Sequence, residues 1–291
     1  MEPQQLQLVG TGTPLTGQIN VNSLTTAQSL AILRLGLFTP TVRNSSEKNI
    51  PSRGIDVSED FRTLEISKRE GFTDIKIIGV NLNIETDFKV WCGIIRVFNL
   101  HGFDAKGVTF KFTEFAKLCG FKSKQLDKKL RARIESSLVR LRSQTIRFSK
   151  EQNKKSHIGG LISNASFDID MDLIHIVPDA SLWELYKIDH IVMLKLEAIN
   201  KLQRLEAAQC LYLFISALPQ NPHPISFKRL RERLLLTTPL IKEQNRTITN
   251  AIKKLIDIGY LKGHIATKIN TAGVKERYLL IEDRSQKLLL N

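Results

Sequence analysis

Residues 110–142 read FKFTEFAKLCGFKSKQLDKKLRARIESSLVRLR. Leu126, Leu130, Ile134, Leu138 and Leu141 fall on one side of a helix written over 124–142, and lysines and arginines occupy its other sides. Seven basic and two acidic residues share that helix with the apolar stripe. The second helix of a helix-turn-helix must meet both demands. One side has to seat on a small helical core, and the other has to be polar and basic enough to enter the major groove of DNA. Ser123 is expected to N-cap this helix. Thr113 is expected to cap a shorter helix before it, Glu114–Leu118, with Gly120 closing the turn.

Working outward, VTFKF (108–112) alternates as a short strand does. Before it, Val90, Trp91, Ile94, Ile95 and Phe98 define a helix from about Glu85 to Gly102. After it, TIRFSKE (145–151) and LISNASFDID (161–170) read as two strands joined by the basic turn NKKSHIGG. LIHIV (173–177) is a third strand, ended by Pro178. Helix, strand, helix, helix and hairpin is the order of a winged helix-turn-helix. FRTLEI (61–66) and DIKIIGV (74–80) read as strands leading into it.

The order recurs further on. Leu196 to Leu218, containing QRLEAAQCLYLFISAL, reads as one or two helices, and Ile225 stands where the short strand belongs. Ser226 is expected to cap FKRLRERLLL (227–236). A longer helix runs from about Lys242 to Ile258, and YLKGHIATKIN with VKERYLLIE makes a hairpin around the turn TAG. The expected fold is therefore α+β and mainly helical, with two tandem winged-helix domains over 61–190 and 191–291. Residues 1–60, rich in Gly, Ser, Thr, Asn and Gln, read as a flexible tail carrying one apolar island, SLAILRLGLFTP (29–40).

Charge points the same way. The chain of 291 residues carries a net +14, split as −1 over 1–60, +6 over 61–191 and +9 over 192–291. So basic a balance favours a polyanionic partner. A single cationic helix could be only a solvated face. Two of them, each after a short capped helix and before a basic hairpin, favour double-stranded DNA.

In the second unit Lys242, Asn245, Arg246, Thr249, Asn250 and Lys253 form the candidate recognition face, because Asn pairs with adenine and Arg with guanine. Lys228, Arg229 and Arg231 suit phosphates, and Lys268, Lys275 and Arg277 on the hairpin suit an adjacent groove or backbone. Lys124, Lys128 and Arg131 are the corresponding candidates in the first unit.

Other classes find little support. The six histidines are never two apart, so the metal-binding pair of a nicking enzyme is missing, and the tyrosines sit in apolar or strand contexts. No GxxxxGK[ST] loop occurs. Asp168, Asp170 and Asp172 alternate at a strand end, where an exposed polar face is the ordinary reading. No catalytic residue, metal or cofactor is expected. Cys92, Cys119 and Cys210 are widely spaced among apolar neighbours, which reads as buried thiols in a reducing, cytoplasmic setting. The first residues lack the basic and apolar regions of a signal peptide, and no apolar run is long enough to span a bilayer.

Four stretches carry a resemblance: LRLGLFTP (33–40), GVNLNIETDFKVW (79–91), VTFKFTEFAKLCGF (108–121) and RIESSLVRLRSQTIRF (133–148). In spacing and residue type the chain resembles theta-type, iteron-binding plasmid replication initiators of the Rep class, most closely the TrfA-like branch. The resemblance implies a first winged helix for dimerisation and DNA-backbone contact, and a second that reads direct repeats at an origin. It also implies a bacterial, plasmid-associated protein that recruits the host initiator, helicase and sliding clamp, with a homodimer repressing its own gene. Leu35, Leu37 and Phe38 resemble a clamp-binding peptide; the alternative is that they dock on the first domain. A winged-helix transcriptional repressor without replication activity stays open beside the initiator.

Overall fold

The computed structural model describes residues 21–34, 36–41, 53–56, 72–101, 106–150, 155–179, 186, 191–269 and 275–284. The proposed strand at 61–66, the turn TAG at 271–273, Gly102 and Leu35 lie outside them.

Each winged unit is built on a three-stranded antiparallel sheet, with three helices in the first and four in the second. In the first, α2 (Asp87–His101) is followed by β6 (Val108–Lys111), α3 (Phe112–Leu118), α4 (Lys128–Arg142), β9 (Ile162–Asp168) and β10 (Leu173–Pro178). In the second, α5 (Leu196–Lys201) and α6 (Glu206–Ser216) precede β12 (Ile225–Ser226), α7 (Phe227–Arg233), α8 (Ile241–Asp257), β13 (Leu261–Ile269) and β14 (Lys275–Arg284). The sheets run β6–β10–β9 and β12–β14–β13, so the third strand is central in both. The winged-helix fold expected from the pattern is borne out.

The third helix of each unit seats through the same spacing. Ile134, Ser137, Leu138 and Leu141 are buried on α4; Ile248, Ala251, Ile252 and Leu255 are buried on α8. Leu and Ile at i, i+4 and i+7 give one continuous apolar stripe. The first unit adds a polar anchor. Asp87, fully buried in the first turn of α2, accepts from Asn83 N (2.8 Å), Ser137 Oγ (2.6 Å) and Arg140 Nε and Nη2 (2.9 and 2.7 Å). Both carboxylate oxygens are thus satisfied, as a buried charge requires. Where α2 crosses the end of α3, Gly93 leaves room for Cys119: a Cβ there would lie 2.4 Å from its Sγ. All three cysteines are buried and free, and burial pushes the Cys92 thiol up to about 12.

Three expectations need correcting. Thr145–Lys150 (β7) is no part of the first wing. It pairs with β8 (Lys155–Gly160) and β4 (Phe72–Gly79), in a separate antiparallel sheet completed by β3 (Arg53–Asp56). The wing is instead the tight hairpin β9–β10, whose turn closes through Asp168 Oδ1 accepting from Met171 N (2.9 Å) and Asp172 in the left-handed region (φ 55°). Both segments alternate alike, so periodicity alone could not choose between them. Secondly, Asp127, not Ser123, caps α4, accepting from Leu130 N at 2.7 Å; Ser123–Gln125 form a separate 3-10 turn that carries Lys124. Likewise α3 starts at Phe112, with Lys111 at its N-cap and no cap from Thr113.

The apolar island is likewise no isolated element. Thr25–Ser29 form β1, Leu30–Arg34 form α1 and Phe38–Thr39 form β2. β1 pairs with β11 (Ile191–Lys195) along its whole length, and β2 runs parallel to β5 (Leu82–Asn83). Leu37 and Phe38 are buried, which fits docking and not a free clamp-binding peptide. The surface they dock on is not the first domain alone: it includes Leu211, Phe214 and Leu234 of the second unit beside Phe88 of the first.

Candidate nucleic-acid interface

In both units a groove opens between the start of the second helix and the start of the third. In the second unit it holds about 630 Å³. It is lined by Phe227 and Ile241 and by Lys228, Arg231, Lys242, Lys275 and Arg277, with Glu276 the one acidic side chain among the described residues lining it. Five cations converge from three elements because a short strand positions α7, α8 starts at Ile241 without a side-chain cap, and β14 pairs back along β12 and β13. Ser226 supplies the cap on α7, accepting from Arg229 N at 3.2 Å.

Within the groove Arg231 donates to Asn245 Oδ1 at 2.7 Å. The bond occupies the amide oxygen of Asn245, leaves its nitrogen as the donor end, and ties Arg231 to the recognition helix. Arg246 is 72% exposed on its side chain and pairs with Glu243 at 2.5 Å. So exposed an ion pair is worth little and yields readily to a stronger anion. Asn250 and Lys253 are exposed on the same side of α8, and Thr249 is partly covered, its hydroxyl donating to Asn245 O.

Some predicted residues stand apart. Arg229 reaches over the Phe214 ring at 5.7 Å and does not line the groove. Lys268 is exposed on β13, away from the lining. Others were missed. Ile241 stands seven residues before the buried Ile248, yet it is 60% exposed and lines the groove. Leu240 beside it is 65% exposed, and apolar tips at this end of a recognition helix suit thymine methyl groups. Thr267 and Glu276 also line the groove, and only the hairpin register brings them there.

In the first unit the matching groove is about 320 Å³, lined by Phe112, Thr113, Leu126, Asp127, Lys128 and Arg131. Phe112, Lys128 and Arg131 stand where Phe227, Lys242 and Asn245 stand in the second. Arg131 is not available there as expected. It stacks on the Phe112 ring at 4.2 Å and forms an ion pair with Asp172 in the wing turn. Two other arginines of α4 are also engaged: Arg133 donates to Thr86 and Arg140 to Asp87. Lys124 and Lys128 are exposed. Among the described residues no cluster of three or more His, Cys, Asp or Glu could hold a metal ion, and no helix is long and apolar enough to cross a membrane.

Comparison with known proteins gives the family of the chain. The family described as "Initiator Replication protein, WH1" matches residues 89–216. Protein RepA of Escherichia coli is 49% identical over 271 residues, covering 93% of this chain and 91% of that protein. The chain belongs to the RepA family of initiator replication proteins. A second member, Replication protein RepA of E. coli, is 43% identical over 274 residues, with 94% and 93% covered. A solved chain of the Pi initiator protein in complex with iteron DNA superimposes with a TM-score of 0.41 at 14% identity, covering 69% of this chain and 96% of that one. The resemblance to Rep-class initiators is borne out, and the relatives of this initiator are named for replication and not for repression.

Proposed function

We propose that this initiator binds double-stranded direct repeats at a plasmid origin and reads their bases with the second winged helix. The observation that carries the reading is the groove whose five cations flank a recognition helix presenting Arg246, Asn250 and Lys253. Lys228, Lys242, Lys275 and Arg277 neutralise phosphates and set the register of α8. Arg246 and Asn250 then reach base edges in the major groove, with Arg231 holding Asn245 ready as an amide donor. In the first unit Lys124 and Lys128 hold backbone only. The protein acts by binding, not by catalysis, and gathers host replication proteins on the bound repeats in the bacterial cytoplasm. Its two winged units divide at about residue 190, and residues 21–41 and the sheet strands on either side of residue 60 belong to the folded body.

The test is footprinting on the DNA that flanks its gene. Protection of repeats spaced about two helical turns apart, near 20 base pairs, is expected. A plasmid carrying those repeats in place of its own origin should replicate when the protein is supplied. Binding without replication would restore the repressor.

A further inference from the structure

No helix or strand of the first winged unit packs extensively on one of the second among the described residues; the stretch 21–41 lies against both. Toward the first unit, Gln28 Oε1 accepts from Trp91 Nε1 at 2.8 Å, with both side chains fully buried. Arg96 on α2 donates through Nε to Asn22 O at 2.9 Å, and Phe38 meets Phe88 edge-on at 5.0 Å. Toward the second, β1 zips onto β11, the strand that enters α5. Arg34 donates to Ala217 O at 2.8 Å, and Arg233 donates to Arg34 O. Leu33, Leu37 and Phe38 close against Leu211, Phe214 and Leu234, leaving a void of only about 10 Å³. Gly36, in the left-handed region at φ 64°, makes the turn between α1 and β2 that lets one short stretch face both ways.

A side chain buried on one unit and its neighbour buried on the other cannot be satisfied in any other relative orientation, since each orphaned buried donor is costly. We propose that residues 22–39 are a splint that holds the two winged units in one orientation, with Gln28, Arg34, Leu37 and Phe38 as its positioning residues. The two units then engage one duplex as a single body. That consequence rests on the DNA-reading function proposed above; the splint itself does not.

The experiment labels Ser136→Cys on α4 and Lys254→Cys on α8 with nitroxides in the full chain and measures their separation by pulsed EPR. Both sites are exposed, and the three native cysteines are buried and stay unlabelled. One narrow distance peak is expected, broadening when Leu37→Asp and Phe38→Asp are added. An unchanged width in that variant overturns the splint. Should that variant lose its helical circular dichroism, Gln28→Leu with Arg34→Met removes the polar ties at nearly constant volume, and the same two outcomes apply. On duplex from the gene's flank, the released variant should lose about 100-fold in affinity, as expected when a linked second module stops contributing, and its footprint should shorten by about one turn, near 10 base pairs. Absence of any footprint with the unaltered chain would count against the DNA reading alone, because the distance measurement needs no DNA.

Discussion

The two winged helices share a scaffold and differ in what they present. Matching the buried positions of α4 to those of α8 sets Ala132 against Arg246, Glu135 against Thr249, Ser136 against Asn250 and Val139 against Lys253. The face proposed to read bases in the second unit is thus small, acidic or apolar in the first, and Val139 is 65% exposed there. The grooves differ likewise. Five cations and one carboxylate line the second, whereas Arg131 in the first is held by Asp172 and Asp127 sits at the helix cap. An arrangement of helices fixes where a recognition surface stands. Whether it recognises anything depends on a handful of side chains that the core does not constrain.

The seating of the third helix offers the strongest way to break the comparison. Asp87→Ala should cost about 3 kcal/mol in denaturant unfolding, because it leaves Arg140 and Ser137 without their buried partner. Hydrogen exchange should quicken in α4 and stay unchanged in α8, whose matching position is Ala251. Equal quickening in both helices would mean that the units do not fold as separate cores.

A smaller effect is expected at Arg231. Its replacement by alanine removes a cation and frees Asn245, so binding to the repeat should fall by about 2 kcal/mol and binding to random DNA by less. Lys228→Ala removes a charge alone. It should weaken both DNAs alike and reduce the salt slope by about 1. If the two variants behave identically in a salt titration, the Arg231–Asn245 bond has no part in recognition.

The slightest change should come from Asp172→Ala. It frees Arg131 in the first groove at a stability cost below about 1 kcal/mol, since the pair is partly exposed. Affinity for random DNA should rise a little, with a steeper salt slope. A fall would show that the ion pair supports a DNA-binding wing.

Much of the fold could be read in the residues, because two periodic leucine or isoleucine stripes, two short strands and Ser226 as a cap all point to one architecture. Three features could not. Thr145–Lys150 and Ile162–Asp168 have the same alternation, and which becomes the wing is settled by a four-residue turn and by pairing with a distant strand. The splint looked like a tail because its strands bond to residues far along the chain, Leu82–Asn83 and Ile191–Lys195. The candidate site was legible as a set of basic residues on a helix. Charge counting could not separate the arginines of α4 that are tied to distant parts of the protein from the exposed side chains of α8, since partners such as Thr86, Asp87 and Asp172 lie dozens of residues away.

The most direct measurement compares equivalent positions of the two units. The ratio of affinities for repeat and random duplex should be determined for Arg246→Ala with Asn250→Ala, and for Glu135→Ala with Ser136→Ala. The first pair should lower that ratio by about tenfold or more, corresponding to at least one lost base contact, and the second should leave it unchanged. Equal losses from both pairs, or a loss confined to Glu135 and Ser136, would contradict the assignment of base reading to the second winged helix.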